Sequence, residues 1–323
     1  MNANQTTALK YQNTNLLSKL NDIAKLVGNT PIIEFSGESK GIIAKLEYAN
    51  YTGSTKDRAT LSILRNAIEN NLLTEGSTII ESTSGNFGIS LAHFSIALGL
   101  NFIPVIDPNI TNINRSVLEF LCEDVIEVTE RDITGGYLLS RLKTVEDFKL
   151  KHPKVFHPNQ YENNYNWYGY KSMAFEIANQ VNHLDYIVVA VSTGGTITGI
   201  SSEIKKYFPN IRVVAVDVKG SMVFEKTPRK RTLSGLGSSR QSNFISSHEN
   251  NIDEVLILEE EDIVKNCKKM ARNHAIFGGA SSGATFAGAQ HILKRHQEKG
   301  EEVKIMMICP DKGTSYVNCF ATN

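Results

Sequence analysis

The chain has 323 residues, 41% of them hydrophobic and 21% charged, and its 34 lysines and arginines balance 34 aspartates and glutamates. A neutral balance gives no reason to expect nucleic acid or a membrane surface as partner, and no apolar run reaches the roughly 18 residues that a membrane span needs. Cys122, Cys267, Cys309 and Cys319 match neither zinc spacing nor a disulfide framework, so the composition predicts a cytoplasmic protein without a metal site that acts on small molecules.

After a polar start, residues 16–27 have helical spacing, and Gly28-Asn29-Thr30-Pro31 turns the chain into a short extended piece at 32–35. Strand-like runs follow at 42–46, 78–81, 102–106, 125–128, 187–191, 213–217, 255–258 and 304–309. Helical periodicity marks 59–73, 87–98, 137–150, 169–181 and 283–299. Strand then helix, repeated, predicts an α/β fold with mostly parallel sheets and helices on both faces. A chain of this length suits two lobes sharing a cleft, and a shift to Asn, Tyr and Pro at 151–166 marks the return from one to the other. The expected division is a small mobile domain at 46–151 and a large domain made of 1–45 and 152–323.

Four loops have the residues for chemistry. Residues 50–58, Asn-Tyr-Thr-Gly-Ser-Thr-Lys-Asp-Arg, run into a helical pattern and put Lys56 at its head, where an uncharged amine is a nucleophile. Taken alone, Lys56-Asp57-Arg58 is equally a charged first turn facing water. The strand at 78–81 runs into Ser82-Thr83-Ser84-Gly85-Asn86 and a helix, which offers hydroxyls and backbone N–H groups to a carboxylate or phosphate. The strand at 187–191 leads into Ser192-Thr193-Gly194-Gly195-Thr196, whose paired glycines let the backbone close on a tetrahedral anion. The P-loop lysine and the full dinucleotide glycine spacing are both missing there. The last loop, 277–284, has Ser281 just inside a helix, and by itself reads as a glycine turn with a serine cap.

These loops, Lys56 in Ser-Thr-Lys-Asp-Arg, Thr-Ser-Gly-Asn at 83–86, Thr-Gly-Gly-Thr at 193–196 and Ser-Ser-Gly at 281–283, resemble in order and spacing the fold-type II pyridoxal phosphate enzymes. The resemblance is to the cysteine synthase and cystathionine β-synthase group and runs from about residue 26 to 316. It implies a tryptophan synthase β-like fold of two three-layer α/β/α lobes, with pyridoxal 5'-phosphate in the cleft and the large domain binding it. It further implies that Lys56 is the Schiff-base lysine and catalytic base, and that Asn86 bonds the ring hydroxyl. Ser192, Thr193, Gly194, Gly195 and Thr196 would hold the phosphate, and Ser281 would face the pyridine nitrogen. Thr83, Ser84, Gly85 and Gln160 would seat the substrate carboxylate, Gly235 would lie near its amino group, and the protein would be a homodimer. A serine at the pyridine nitrogen cannot keep it protonated as a carboxylate would, which favours β-replacement over transamination. Tyr51 departs from the family, which usually has proline after Asn50.

Within that family, residues 81–86, 135–138 with Arg141, 159–161, 191–193, 214–217 with 219–221, 238–240 and 310–313 resemble the N-(2-amino-2-carboxyethyl)-L-glutamate synthases of staphyloferrin B biosynthesis. By that likeness Arg141, Tyr161 and Ser192 line a site for O-phospho-L-serine and L-glutamate, charge that a guanidinium and extra hydroxyls suit. Without the resemblance, Arg141 reads as a solvated helix residue and Tyr161 as a packed aromatic. Two other readings stand beside this one: a cysteine synthase using acetylserine or phosphoserine with sulfide, and a catalytically silent relative that binds a partner.

Overall fold

The computed structural model describes residues 3–321 apart from 84, 134 and 234, with side chains from 13 to 320. Two compact units divide the chain, one of Met1–Val27 with Lys56–Gly169 and the other of Gly28–Thr55 with Tyr170–Asn323. Its strands are β1 Ile32–Glu34, β2 Ile42–Leu46, β3 Thr78–Ser82, β4 Asn101–Ile106, β5 Ile126–Glu127, β6 Tyr186–Ala190, β7 Arg212–Val218, β8 Glu254–Leu258 and β9 Ile305–Cys309. Each lies on a run expected from the sequence. The helices are α1 Ala3–Ala24, α2 Lys56–Glu69, α3 Asn86–Leu98, α4 Asn112–Leu121, α5 Leu138–Lys151, α6 Tyr165–Tyr168, α7 Lys171–Gln180, α8 Gly195–Ile204, α9 Asn243–His248, α10 Glu260–His274, α11 Ala280–Gln297 and α12 Val317–Ala321. Among the described residues no helix is long and apolar enough to cross a membrane, and none of the four cysteines forms a disulfide.

In the second unit a six-stranded sheet has the order β1-β2-β9-β6-β7-β8. It is parallel from β2 onward, with β1 antiparallel at one edge. A parallel sheet covered on both faces needs apolar residues at every position of its central strands rather than at alternate ones. Accordingly Ile187, Val188 and Val189 in β6, and Ile305, Met306 and Met307 in β9, are all buried. Helix α11 packs across β9, β6, β7 and β2, and Gly288 lets it approach, since a Cβ there would lie 2.8 Å from Val216 Cγ2. Strand order reverses at β6, which neighbours both β7 and β9. Ligands of open α/β sheets bind at the carboxyl ends of the strands beside such a reversal.

The first unit contains the parallel sheet β3-β4-β5, with α3 and α5 packed on β4. Helix α1 packs on α2 and α3, which groups residues 1–27 with this unit, whereas the sequence reading placed them with the large domain. Helix α2 meets α6 so closely that a Cβ on Gly169 would sit 2.3 Å from the Arg58 carbonyl oxygen. That contact fixes the helix that begins at Lys56.

Candidate functional site

The expected site residues sit at helix heads and at the carboxyl edges of the two sheets, and each unit holds its own set. In the first unit Lys56 opens α2. The turn it begins is not the solvated charged turn that the residue types alone allow. Asp57 and Arg58 are buried, and Asp57 Oδ1 accepts a hydrogen bond from Ser90 Oγ at 2.6 Å, which ties the head of α2 to α3. Asn86 opens α3 behind Gly85, whose backbone is extended. Thr83 N donates to the Val105 carbonyl at 3.0 Å, and Thr83 Oγ1 accepts from Gly88 N at 2.9 Å. The loop after β3 is thus held to β4 and capped onto its own helix. Gln160 Nε2 donates to the Ser82 carbonyl at 2.9 Å, while the Gln160 carbonyl accepts from Asn166 Nδ2 at 2.6 Å. Thr83, Gly85, Asn86 and Gln160 are thereby gathered at the end of β3, with half-buried Tyr161 next in the chain. Ser84 lies outside the described residues.

Arg141 is a buried member of α5, not a solvated one. Its Nε lies 3.0 Å from Asp107 Oδ2, beyond the end of β4, but out of line for a hydrogen bond, and its Nη1 has no acceptor. The carboxylate is steadied from the other side, where Asn109 N donates to Asp107 Oδ1 at 2.8 Å. A guanidinium so placed is charge-compensated yet keeps donor capacity that the protein does not use.

In the second unit β6 runs into Ser192, whose Oγ donates to the Gly237 carbonyl at 2.9 Å, while Gly237 N donates to the Val191 carbonyl at 2.8 Å. Gly194 has φ +87°, and a Cβ there would meet Ile245 Cγ1 at 2.5 Å, so both backbone and space require glycine. Helix α8 begins at Gly195, and its first-turn amides, which no intrahelical carbonyl can satisfy, point into this loop. Thr193 and Thr196 are buried and add hydroxyls. Such a loop could seat a tetrahedral anion.

Ser281, in the first turn of α11, donates its Oγ hydrogen to the Gly235 carbonyl at 3.1 Å. A hydroxyl has one proton, so giving it to a ring nitrogen would release Gly235. Gly235 has φ +79° and approaches Tyr316 Oη so closely that a Cβ would lie 2.7 Å from it. Tyr316 Oη donates to Asp311 Oδ2 at 2.8 Å; burial, reinforced by that carboxylate, raises its pKa well above the ordinary phenol value, so it stays a donor. Ser192, Gly235 and Ser281 are therefore linked through the segment 235–237.

Several supporting residues escaped the sequence reading. Glu260 accepts hydrogen bonds from Thr232 N, Thr232 Oγ1 and Leu233 N, and Arg231 Nη1 donates to the Leu236 carbonyl at 3.0 Å. Both anchor the approach to Gly235. Asp107 carried a usable signal, an acid directly after a predicted strand. Nothing in the spacing pointed to Tyr316 as the partner of Asp311.

A model of the family described as "Pyridoxal-phosphate dependent enzyme" matches residues 23–311. Among solved structures, the chain is similar to the O-acetylserine dependent cystathionine beta-synthase from Helicobacter pylori at 27% identity and TM-score 0.83, covering 92% of this chain and 96% of that one. An O-ureido-L-serine synthase variant with O-ureido-L-serine bound matches at 25% identity and TM-score 0.83, over 92% of each chain. A hydrogen sulfide-producing enzyme from Fusobacterium nucleatum matches at 27% identity and TM-score 0.83, over 91% of this chain and 97% of that one.

Proposed function

The chain belongs to the pyridoxal-phosphate dependent enzymes, and from that premise we propose that it joins O-phospho-L-serine to L-glutamate. The products are N-(2-amino-2-carboxyethyl)-L-glutamate and phosphate, on a route to 2,3-diaminopropionate and a siderophore. Arg141 is the observation that supports this choice: a buried guanidinium with Nη1 lacking an acceptor suits a phosphorylated amino acid and a dicarboxylate better than acetylserine and sulfide.

The residues present fit the cofactor, because the cradle of residues 192–196 needs glycine at position 194 and ends at a helix head that suits a phosphate. When bound, pyridoxal phosphate supplies an aldehyde that takes up amines and a ring that withdraws electrons from the substrate Cα. Lys56 would be the residue that holds the group through its aldehyde, and its amine would serve as the base for the substrate Cα proton. Ser192, Thr193, Gly194, Gly195 and Thr196 would hold its phosphate, Asn86 its ring hydroxyl and Ser281 its ring nitrogen. Thr83, Ser84, Gly85 and Gln160 orient the substrate through its α-carboxylate, with Gly235 beside its amino group. Arg141, Tyr161 and Ser192 receive the additional charged groups. Assembly as a homodimer belongs to the same proposal and is tested by light scattering.

The test offers the purified protein phosphoserine or acetylserine, each with glutamate or sulfide, and identifies products by mass. Phosphoserine with glutamate yields the adduct. Ready formation of cysteine without any glutamate adduct would replace this reading with a cysteine synthase, the activity class that acetylserine- and sulfide-handling relatives favour.

A further inference from the structure

Glu47 is fully buried in the turn that follows β2, and three side chains converge on its carboxylate, one from the turn before β1 and two from the loop that leads to Lys56. Oε1 accepts a hydrogen bond from Thr30 Oγ1 at 2.6 Å. Oε2 accepts from Asn50 Nδ2 at 3.0 Å and from Thr55 Oγ1 at 3.2 Å. Asn50 is doubly committed, since its Nδ2 also reaches the Glu47 carbonyl at 2.6 Å and its Oδ1 accepts from Gly28 N at 2.7 Å. On the far side, the Thr30 carbonyl accepts from Lys45 Nζ at 2.8 Å and from Gln180 Nε2 at 2.8 Å. Lys45, itself fully buried, pairs with Glu176 at 3.2 Å. A buried carboxylate is costly unless donors surround it, and here two of the three donors, Asn50 and Thr55, stand in the loop that leads to Lys56.

That loop contains Gly53 at φ +91°, a conformation that glycine permits without itself fixing it. Thr55 is covalently joined to Lys56, so whatever holds Thr55 sets where the Lys56 Cα leaves the loop. Backbone pairing contributes, with Thr55 N donating to the Pro310 carbonyl at 2.8 Å. Glu47 supplies the side-chain clamp.

We propose that Glu47 is the positioning residue for Lys56: its carboxylate clamps Asn50 and Thr55, so that the lysine reaches the cofactor aldehyde and the substrate Cα in a productive geometry. The inference rests on the assignment of Lys56 above. A small misplacement of a reacting group costs up to about a hundredfold in rate without weakening remote binding contacts. Glutamine at position 47 would set an NH2 group among hydrogen-bond donors, and valine at position 55 would remove one donor at nearly constant volume.

The experiment measures four quantities for wild type, Glu47→Gln, Thr55→Val and Thr55→Ser. They are the rate at which borohydride fixes pyridoxal phosphate to Lys56, the affinity for pyridoxine 5'-phosphate, which lacks the aldehyde, kcat with KM, and the melting temperature. In Glu47→Gln and Thr55→Val the fixation rate and kcat fall together by about ten- to a hundred-fold. KM and pyridoxine 5'-phosphate affinity stay within roughly threefold, and Thr55→Ser, which keeps the hydroxyl, restores both rates. Rates in Glu47→Gln and Thr55→Val that match wild type overturn the proposal, and so does a parallel loss of pyridoxine 5'-phosphate binding, which marks a general loosening. If Glu47→Gln does not fold, Thr55→Val against Thr55→Ser decides. Peptide mapping of the wild-type label separates the two readings, since a label on another lysine overturns the assignment of Lys56 itself.

Discussion

The loop after β3 and the loop after β6 stand in equivalent places, each at the carboxyl end of a parallel strand and the head of a helix, and both are held by hydrogen bonds, yet they differ in how much polar capacity they leave unused. The β6 loop is fixed by stereochemistry and neighbours: glycine at a positive φ, a tight fit against Ile245, and hydrogen bonds from Ser192 and Ser242. Around the β3 loop, buried polar capacity goes unused. Ser82 Oγ has no partner, and Glu81 Oε1 faces His157 Nε2 at 3.6 Å without a hydrogen bond. At Gly85 a Cβ would meet nothing within 4 Å. A phosphate of fixed shape can be seated by rigid backbone, whereas an amino acid that arrives and leaves each turnover is better met by groups with hydrogen bonds still to make.

The largest expected effect tests whether the two loops serve one chemistry. Lys56→Ala lowers turnover more than about a thousandfold, and borohydride no longer fixes the cofactor to the chain, as peptide mass shows.

Next comes Arg141→Ala, which leaves Asp107 buried without its counter-charge. Chemical denaturation should register a loss of about 3 kcal/mol, and kcat/KM for phosphoserine with glutamate should fall about thirty- to a thousand-fold. A side reaction of acetylserine with sulfide should fall much less. Equal losses in both reactions would make Arg141 a structural ion-pair partner only.

A pH effect separates the sheets themselves. Asp217 lies buried in β7, where burial pushes its carboxyl up to about 6 against the opposing hydrogen bond from Val218 N. The folded chain then holds this proton more tightly than the unfolded chain, whose ordinary value is 3.8. The contribution of Asp217 to stability is therefore least unfavourable below about pH 4 and worsens by roughly 1.4 kcal/mol per unit up to about pH 6. Asp217→Asn should remove that slope from denaturation curves taken across this window.

The smallest effect compares the two glycines directly. Gly194→Ala should cost about 1–3 kcal/mol, read as weaker pyridoxal phosphate binding and a lower melting temperature. Gly85→Ala should leave melting unchanged and raise only the KM for the amino acid. Equal melting shifts for both would remove the distinction between a rigid and an adaptable loop.

Periodicity and turn chemistry were enough to read the nine strands among the described residues and the loops that follow β3 and β6, because those signals are local. Apolar runs bounded by glycine, proline and hydroxyl residues mean the same thing wherever the chain later goes. Those signals put Lys56, Asn86, Gly194 and Ser281 at the heads of helices, while the roles proposed for them come from the family resemblance. Tertiary structure alone decided which charges are buried and what faces them. Arg141 against Asp107, Glu260 against Thr232 and Leu233, Tyr316 against Asp311, and Glu47 against Thr30, Asn50 and Thr55 are pairings of side chains that no spacing rule brings together. An ion pair or a buried hydrogen bond depends on distance and dielectric after folding, and a sequence specifies neither until its strands have been laid side by side.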